Sequence, residues 1–239
     1  MEKTMTVETF TLTHATSHTA TQWDDQRTYN FPELADLLSK PVVGPKVGPC
    51  YTPATFRVPQ RKLDHAERID VAGLDSDCGH NLDEIATAIK YLGCDAIIHS
   101  THSHMKSKTQ IARRPYEKWA ADNLGKTVEH YLADRAGLLP RVLEGAHLID
   151  EPGTATGNNL LVEHNPCPKF RIVIPLSTPW RASDFTGQSN ANAHWAKCIG
   201  NLADALEVRH DKSCEDTSRL FYLPRIATAG SAFEYAVLP

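Results

Sequence analysis

The chain has 239 residues, of which 41% are apolar and 23% charged, with a formal net charge of -4. That composition supports a buried core and excludes a disordered chain, a coiled coil and a collagen-like repeat. The acidic balance excludes a surface that is basic throughout, while a local basic groove stays compatible with it.

The length suits one large domain or two packed halves. No apolar run reaches the roughly eighteen residues a membrane helix needs, and the opening MEKTMTVETF lacks the apolar stretch of a secretory signal. Six cysteines occur without a C-x-x-C pair, which predicts reduced, mostly buried thiols in a cytoplasmic protein. His164-x-x-Cys167 and Cys78-x-His80 have zinc-like spacing, but neither has a second half, so zinc is the weaker alternative.

In chain order, residues 4–13 alternate polar and apolar side chains and predict a half-buried strand. Asn30-Phe31-Pro32 opens a helix through Leu38, with proline in its first turn. Residues 41–54, rich in proline and glycine, predict a loop. A strand over 68–75 follows. Asn81 then caps a helix LDEIATAIKYL that places Leu82, Ile85, Ile89 and Leu92 on one face and ends at Gly93. With the apolar strand Ala96–Ser100, this predicts a βαβ unit carrying polar residues at both strand ends.

Residues 105–168 predict an insertion beside the core, with one long helix from about Pro115 to Arg135 and a loop EPGTATGNN. A third strand, Phe170–Leu176, a helix over about 190–206 and a strand over 219–223 complete the pattern. The extended tail SAFEYAVLP stops abruptly, as in a domain cut from a longer protein.

Four places carry candidate chemistry. Asp75-Ser76-Asp77 ends a strand, where residues two apart share a face. Two adjacent carboxylates call for a cation, and an oxygen-only pair suits Mg²⁺ or Mn²⁺. The plain alternative is a solvated turn. His99-Ser100-Thr101-His102-Ser103-His104 follows the next strand, and Ser100, His102 and His104 share a face if the strand continues. Their donors suit phosphate oxygens. A strand-capping loop or a zinc pair from His102 and His104 are the alternatives. Asp211 lies shortly after a helix and just before the last strand, with Asp216 close by, and on its own reads as an ordinary polar loop. Arg171, alternating with Val173, points inward and requires an anion, either a ligand or an internal aspartate.

In order, GLDSD, STHSH and RHDKS, together with KFRIVIPLSTPW and DTSRLFYLP, resemble the archaeo-eukaryotic primase superfamily, in its branch of primase-polymerases from plasmids, phages and other mobile elements. The resemblance covers roughly residues 65–225 apart from the insertion. It implies an α+β catalytic domain over 1–239, with an RRM-like half, a second α/β half and a helical insertion at about 105–168. It also implies a possible place at the start of a longer replication protein. The implied activity is metal-dependent DNA priming and extension. Asp75, Asp77 and Asp211 would hold two Mg²⁺ or Mn²⁺ ions, and Ser100, His102 or His104, Arg171 and Arg219 would hold the nucleotide. Single-stranded DNA template, primer, NTP or dNTP and a helicase are the implied partners, with no membrane. Arg57, Arg61, Lys62, Lys106, Lys108, Arg113 and Arg114 are candidates for template backbone contact; a solvated surface is the plain reading of each. A D-x-D glycosyltransferase and a non-catalytic nucleic-acid-binding relic are the rival functions.

Overall fold

The computed structural model describes residues 8–149 and 158–239. Residues 4–7 of the first predicted strand, and Glu151 to Gly157 of the predicted loop, lie outside the described residues.

The chain begins with a hairpin of β1 (Thr9–Ala15) and β2 (Asp25–Asn30), then α1 (Phe31–Ser39). Asn30 and Glu33 form a reciprocal capping box, and Pro32 sits in the first turn, where no amide hydrogen is needed. The region predicted as loop contains two short strands instead, β3 (Val42–Val43) and β4 (Cys50–Thr52), and β5 (Ala54–Phe56) begins at its last residue. The prolines bound these strands, while Tyr51 and Phe56 are buried, Tyr51 with its ring centre 5.7 Å from that of Phe221.

β6 (Ala66–Ser76), α2 (Leu82–Leu92) and β7 (Ala96–Ser100) follow. Asn81 and Glu84 cap α2, and Gly93 ends it with φ 65°. After β8 (Lys106–Ala112) come α3 (Arg113–Asp122) and α4 (Val128–Ala136). The single long helix expected here is therefore two. Gly125 adopts φ 83°, and Thr127 forms a new capping box with His130, so the intervening residues stop one helix and start another.

α5 (Pro140–Leu143), β9 (His147–Ile149), β10 (Asn159–Cys167), β11 (Phe170–Arg181) and α6 (Gln188–Ala205) come next. The chain ends with β12 (Phe221–Tyr222), β13 (Arg225–Ile226) and β14 (Tyr235–Leu238).

The molecule is a mixed α/β protein. Its central sheet has the order β14-β7-β11-β6-β5. β11 runs antiparallel to both β6 and β7, so β6 and β7 are parallel with β11 threaded between them. The predicted βαβ unit is thus a split one. β6 from Ile69 to Ser76 is buried throughout, as a strand covered on both faces must be. The second sheet, β12-β4-β1-β2, and helices α1, α2 and α6 share one hydrophobic cluster with it.

The segment from β8 to β10 forms its own sheet, β8-β10-β9. Trp119, Tyr131, Leu132, Val142 and Val162 form a second hydrophobic cluster there. This segment leaves from the end of β7 and returns at the start of β11, two strands paired from Phe170–Ser100 to Val173–Ile97. It therefore emerges beside the C-terminal end of β6. Among the described residues no helix is long and apolar enough to cross a membrane.

Candidate functional site

Asp75 lies near the end of β6, directly opposite Arg171 of β11. Arg171 Nε donates to Asp75 Oδ1 at 2.8 Å and Nη2 to Oδ2 at 3.0 Å, while Nη1 donates to the Tyr222 carbonyl at 2.9 Å. Both side chains are buried. The inward arginine thus found its anion inside the chain, which was one of the two expected outcomes. Its guanidinium also stacks 4.3 Å from the Phe221 ring centre.

The segment bearing Asp211 runs alongside the same strand. His210 bridges Ser76, and the Asp211 amide donates to the Asp75 carbonyl at 3.1 Å. The Asp211 carboxylate accepts from the Ser213 amide at 2.9 Å. Arg219 joins the two acids: its Nη2 lies 3.3 Å from Asp75 Oδ2 and 3.0 Å from Asp211 Oδ2. Asp77, two residues past Asp75, is half exposed, with Lys169 Nζ at 3.9 Å.

These groups meet in one cleft of about 440 Å³. Asp75, Asp77, Asp211 and Asp216 line it on the acidic side, and Lys46, Arg61, Lys169, Arg171 and Arg219 on the basic side. Tyr222 and His18 add an edge-to-face ring pair with centres 6.0 Å apart.

The carboxyls respond differently to this setting. Burial opposes the charge of Asp75, but Arg171 and Arg219 outweigh it and hold the carboxyl below its usual range. Asp211 is also held low: burial is overcome by the Ser213 hydrogen bonds and Arg219. Asp77 goes the other way. Burial raises it, and the charges of Asp75 and Asp211 add to that against the pull of Lys169 and Arg171. Of Asp75, Asp77 and Asp211, Asp77 alone is held above its usual range.

The expected phosphate cradle is placed differently from the face-sharing arrangement. β7 ends at Ser100, and residues 102–105 form a turn, so the alternation stops. Ser100 is buried and accepts from the Glu234 amide at 3.0 Å. His104 is buried too: Nδ1 accepts from the Lys169 amide at 3.1 Å, Nε2 lies 3.3 Å from Glu234 Oε1, and the ring packs edge-on against Phe170. His102 Nε2 faces the Gly44 carbonyl at 3.1 Å. Thr101 and Ser103 are the members of this motif that line the main cleft. Ser100 and His102 line a smaller cavity next to it.

Of the basic candidates, Arg61 lines the cleft, with Nη1 donating to the Ser218 carbonyl at 2.9 Å. Arg57 is bound to the Asp64 carbonyl and Gln188. Lys106, Lys108 and Arg114 are exposed, and Arg113 pairs with Glu117 at 3.7 Å. Lys46 was missed as a cleft residue because its loop lies far from the motifs in sequence.

The oxygen-only donors suit a hard divalent ion. Asp77 has no guanidinium partner, and the oxygens of Asp75 and Asp211 keep lone pairs beyond those used by the arginines. In that chemical sense the residues fit Mg²⁺ or Mn²⁺. Among the described residues, however, no three His, Cys, Asp or Glu side chains are grouped as ligands of one ion. The place between Asp75 and Asp211 is taken by the Arg219 guanidinium. As for zinc, His164 bonds to Thr109 and Asn165, Cys167 to backbone carbonyls, and Cys78 lies 3.1 Å from His80 Nδ1.

Comparison of the chain with models of known protein families, with curated proteins and with solved structures finds no match.

Proposed function

We propose that this protein is a metal-dependent nucleotidyltransferase of the primase-polymerase kind, with residues 1–239 as its catalytic unit and 105–168 as an inserted subdomain. One observation carries the reading: Asp75, Asp77 and Asp211, from two stretches distant in sequence, line one cleft whose other wall is cationic. The split β6-α2-β7 arrangement around β11 supports an RRM-like catalytic half.

Asp77, Asp211 and Asp75 would hold Mg²⁺ or Mn²⁺, which would supply charge neutralisation at the reacting phosphate and lower the pKa of the attacking hydroxyl. Arg171 positions Asp75 by gripping both its oxygens. Lys46, Lys169 and Arg61 would bind the phosphates of an NTP or dNTP. Tyr222 would give a nucleobase or ribose a flat apolar wall. Template and primer contacts would be chiefly to backbone phosphate and so weaken with salt. The natural setting would be replication of a plasmid, phage or other mobile element, with a helicase as partner.

The test is primer synthesis and extension on single-stranded DNA with Mg²⁺ or Mn²⁺. Incorporation by the wild type that disappears in Asp77→Asn supports the reading; no incorporation with either metal and any nucleotide set overturns it.

A second reading has its own observation. Asp75 and Asp211 already share a cation in Arg219, which favours a non-catalytic nucleic-acid-binding relic. That reading requires DNA binding indifferent to Asp77→Asn and no Mn²⁺ binding at the cleft.

A further inference from the structure

α6 presents one stripe to the core and the rest to solvent. Ala191, Trp195, Ile199 and Ala203 are buried at steps of four residues, which fixes the helix in place and in rotation. His194 and Cys198, one turn apart, stand outside that stripe and are exposed. No residue of α6 lines the main cleft.

Cys198 is the single exposed cysteine of the six. An exposed free thiol is unusual, because cysteine is among the most buried residue types. Its sulfur lies 3.6 Å from His194 Nδ1 and 3.7 Å from Nε2. A thiol is a weak donor, so contact at that length stabilises little by itself. Among the described residues, neither side chain has another hydrogen-bonding partner.

The separation is that of two ligands on one tetrahedral ion. Zinc holds sulfur at about 2.3 Å and imidazole nitrogen at about 2.0–2.1 Å, and a tetrahedral angle between those bonds puts the two donors about 3.6 Å apart. A four-residue step on a helix also brings paired histidines onto one zinc ion. Phe185 backs the imidazole, with ring centres 4.6 Å apart at 38°, and so limits how far the ring can swing from the sulfur. A thiolate with an imidazole suits Zn²⁺ or Co²⁺ and not Mg²⁺ or Mn²⁺, which prefer oxygen. Among the described residues no third His, Cys, Asp or Glu joins the pair, so the other positions of the ion stay with water.

We propose that His194 and Cys198 form an open, two-residue chelate for a zinc-like transition-metal ion on the solvent face of α6, separate from the carboxylate cleft. On binding, the sulfur exchanges its proton for the metal, and the proton leaves to solvent. The inference makes no use of the proposed function.

Titration of the full chain with Co²⁺, in a large excess of Mg²⁺ that competes at any oxygen-only site, tests it. Co²⁺ bound to a thiolate gives a charge-transfer band in the near ultraviolet. The wild type should develop that band, and Zn²⁺ should abolish it by displacement. Cys198→Ser should lose the band. His194→Gln should weaken Co²⁺ binding by about tenfold or more, since losing a direct ligand costs no less than losing an outer-shell partner. Cys198→His keeps a chelating pair at the same spacing and should bind Co²⁺ without the band. Both positions are exposed, so the metal-free variants should keep Tm within about 2 °C of the wild type. No band in the wild type, a band that survives in Cys198→Ser, or unchanged affinity in His194→Gln would each overturn the proposal. No polymerisation is measured, so a chain that never extends a primer can still pass.

Discussion

Asp75 and Arg171 face one another across β6 and β11 and form a buried, two-pronged ion pair at 2.8 and 3.0 Å. Asp75 is therefore both a candidate ligand and a structural counter-ion. Reading the sequence alone, one expects Asp75→Ala and Asp77→Ala to behave alike, each removing a ligand and sparing the fold. The ion pair separates them.

Asp75→Ala strands a buried guanidinium, at a cost of about 3–5 kcal/mol, or a Tm fall of roughly 10 °C. Asp77→Ala removes a half-exposed, poorly compensated carboxylate and should leave Tm within about 2 °C. Differential scanning calorimetry of the two variants decides this; equal Tm values would refute it. Under the proposed function, a loss of incorporation in Asp77→Ala would then reflect the site and not unfolding.

Arg219→Gln removes the guanidinium shared by Asp75 and Asp211. The acidic group is left with less internal compensation, so Mn²⁺ should bind the variant more tightly than the wild type, and Asp77→Asn more weakly. Electron paramagnetic resonance of Mn²⁺ with the protein alone measures both. The same Mn²⁺ affinity in all three proteins would remove the carboxylates from any metal site.

Gly73 lies in β6 beneath Phe221, where an added Cβ would be 2.6 Å from the ring. Phe221 in turn stacks with Arg171 and Arg219, its centre 4.3 and 5.6 Å from their guanidinium carbons. Gly73→Ala should destabilise by about 1–3 kcal/mol through overpacking. Under the proposed function it should also lower nucleotide affinity, read in a variant still folded at room temperature. A wild-type urea midpoint would contradict this.

His99 is buried, and burial with the nearby charge of Arg171 lowers its pKa to about 4. His14 is lowered similarly, by burial and Arg27. Each binds its proton below about pH 6.5 in the unfolded chain but only near pH 4 in the folded one. Stability should be full above pH 6.5 and decline as pH falls toward 4, by about 3 kcal/mol for His99. Urea midpoints at pH 7.5 and 5.0 should differ less in His99→Gln than in the wild type, with His14 keeping part of the slope. Parallel changes in both proteins would show that His99 does not carry the effect.

Much of the fold could be read locally. Asn30 with Glu33 and Asn81 with Glu84 mark helix starts by chemistry that needs only three residues. The break at Gly125 and Thr127 was equally local but hidden by the apolar periodicity around it. What could not be read is adjacency. Nothing in the sequence says that FRIVIPL lies between β6 and β7, and that placement puts Arg171 on Asp75. Asp75 and Asp77 are legible as a carboxylate pair at a strand end, whereas Asp211 and Arg219 stand out only through the order of motifs, since each alone is an ordinary polar residue of a loop or strand start. Ser100, His102 and His104 share a face only if β7 continues, and the backbone instead turns after Ser100, which sends the three side chains to different partners.

β14 pairs with β7 through residues Tyr235 to Leu238, and its neighbour Glu234 bonds to Ser100 and His104. A chain shortened before Phe233 would leave Ala96–Ser100 as a bare apolar rim, with hydrogen-bonding groups turned toward solvent. Such a rim recruits strands from other molecules, so precipitation should be the first sign that the last few residues have been trimmed.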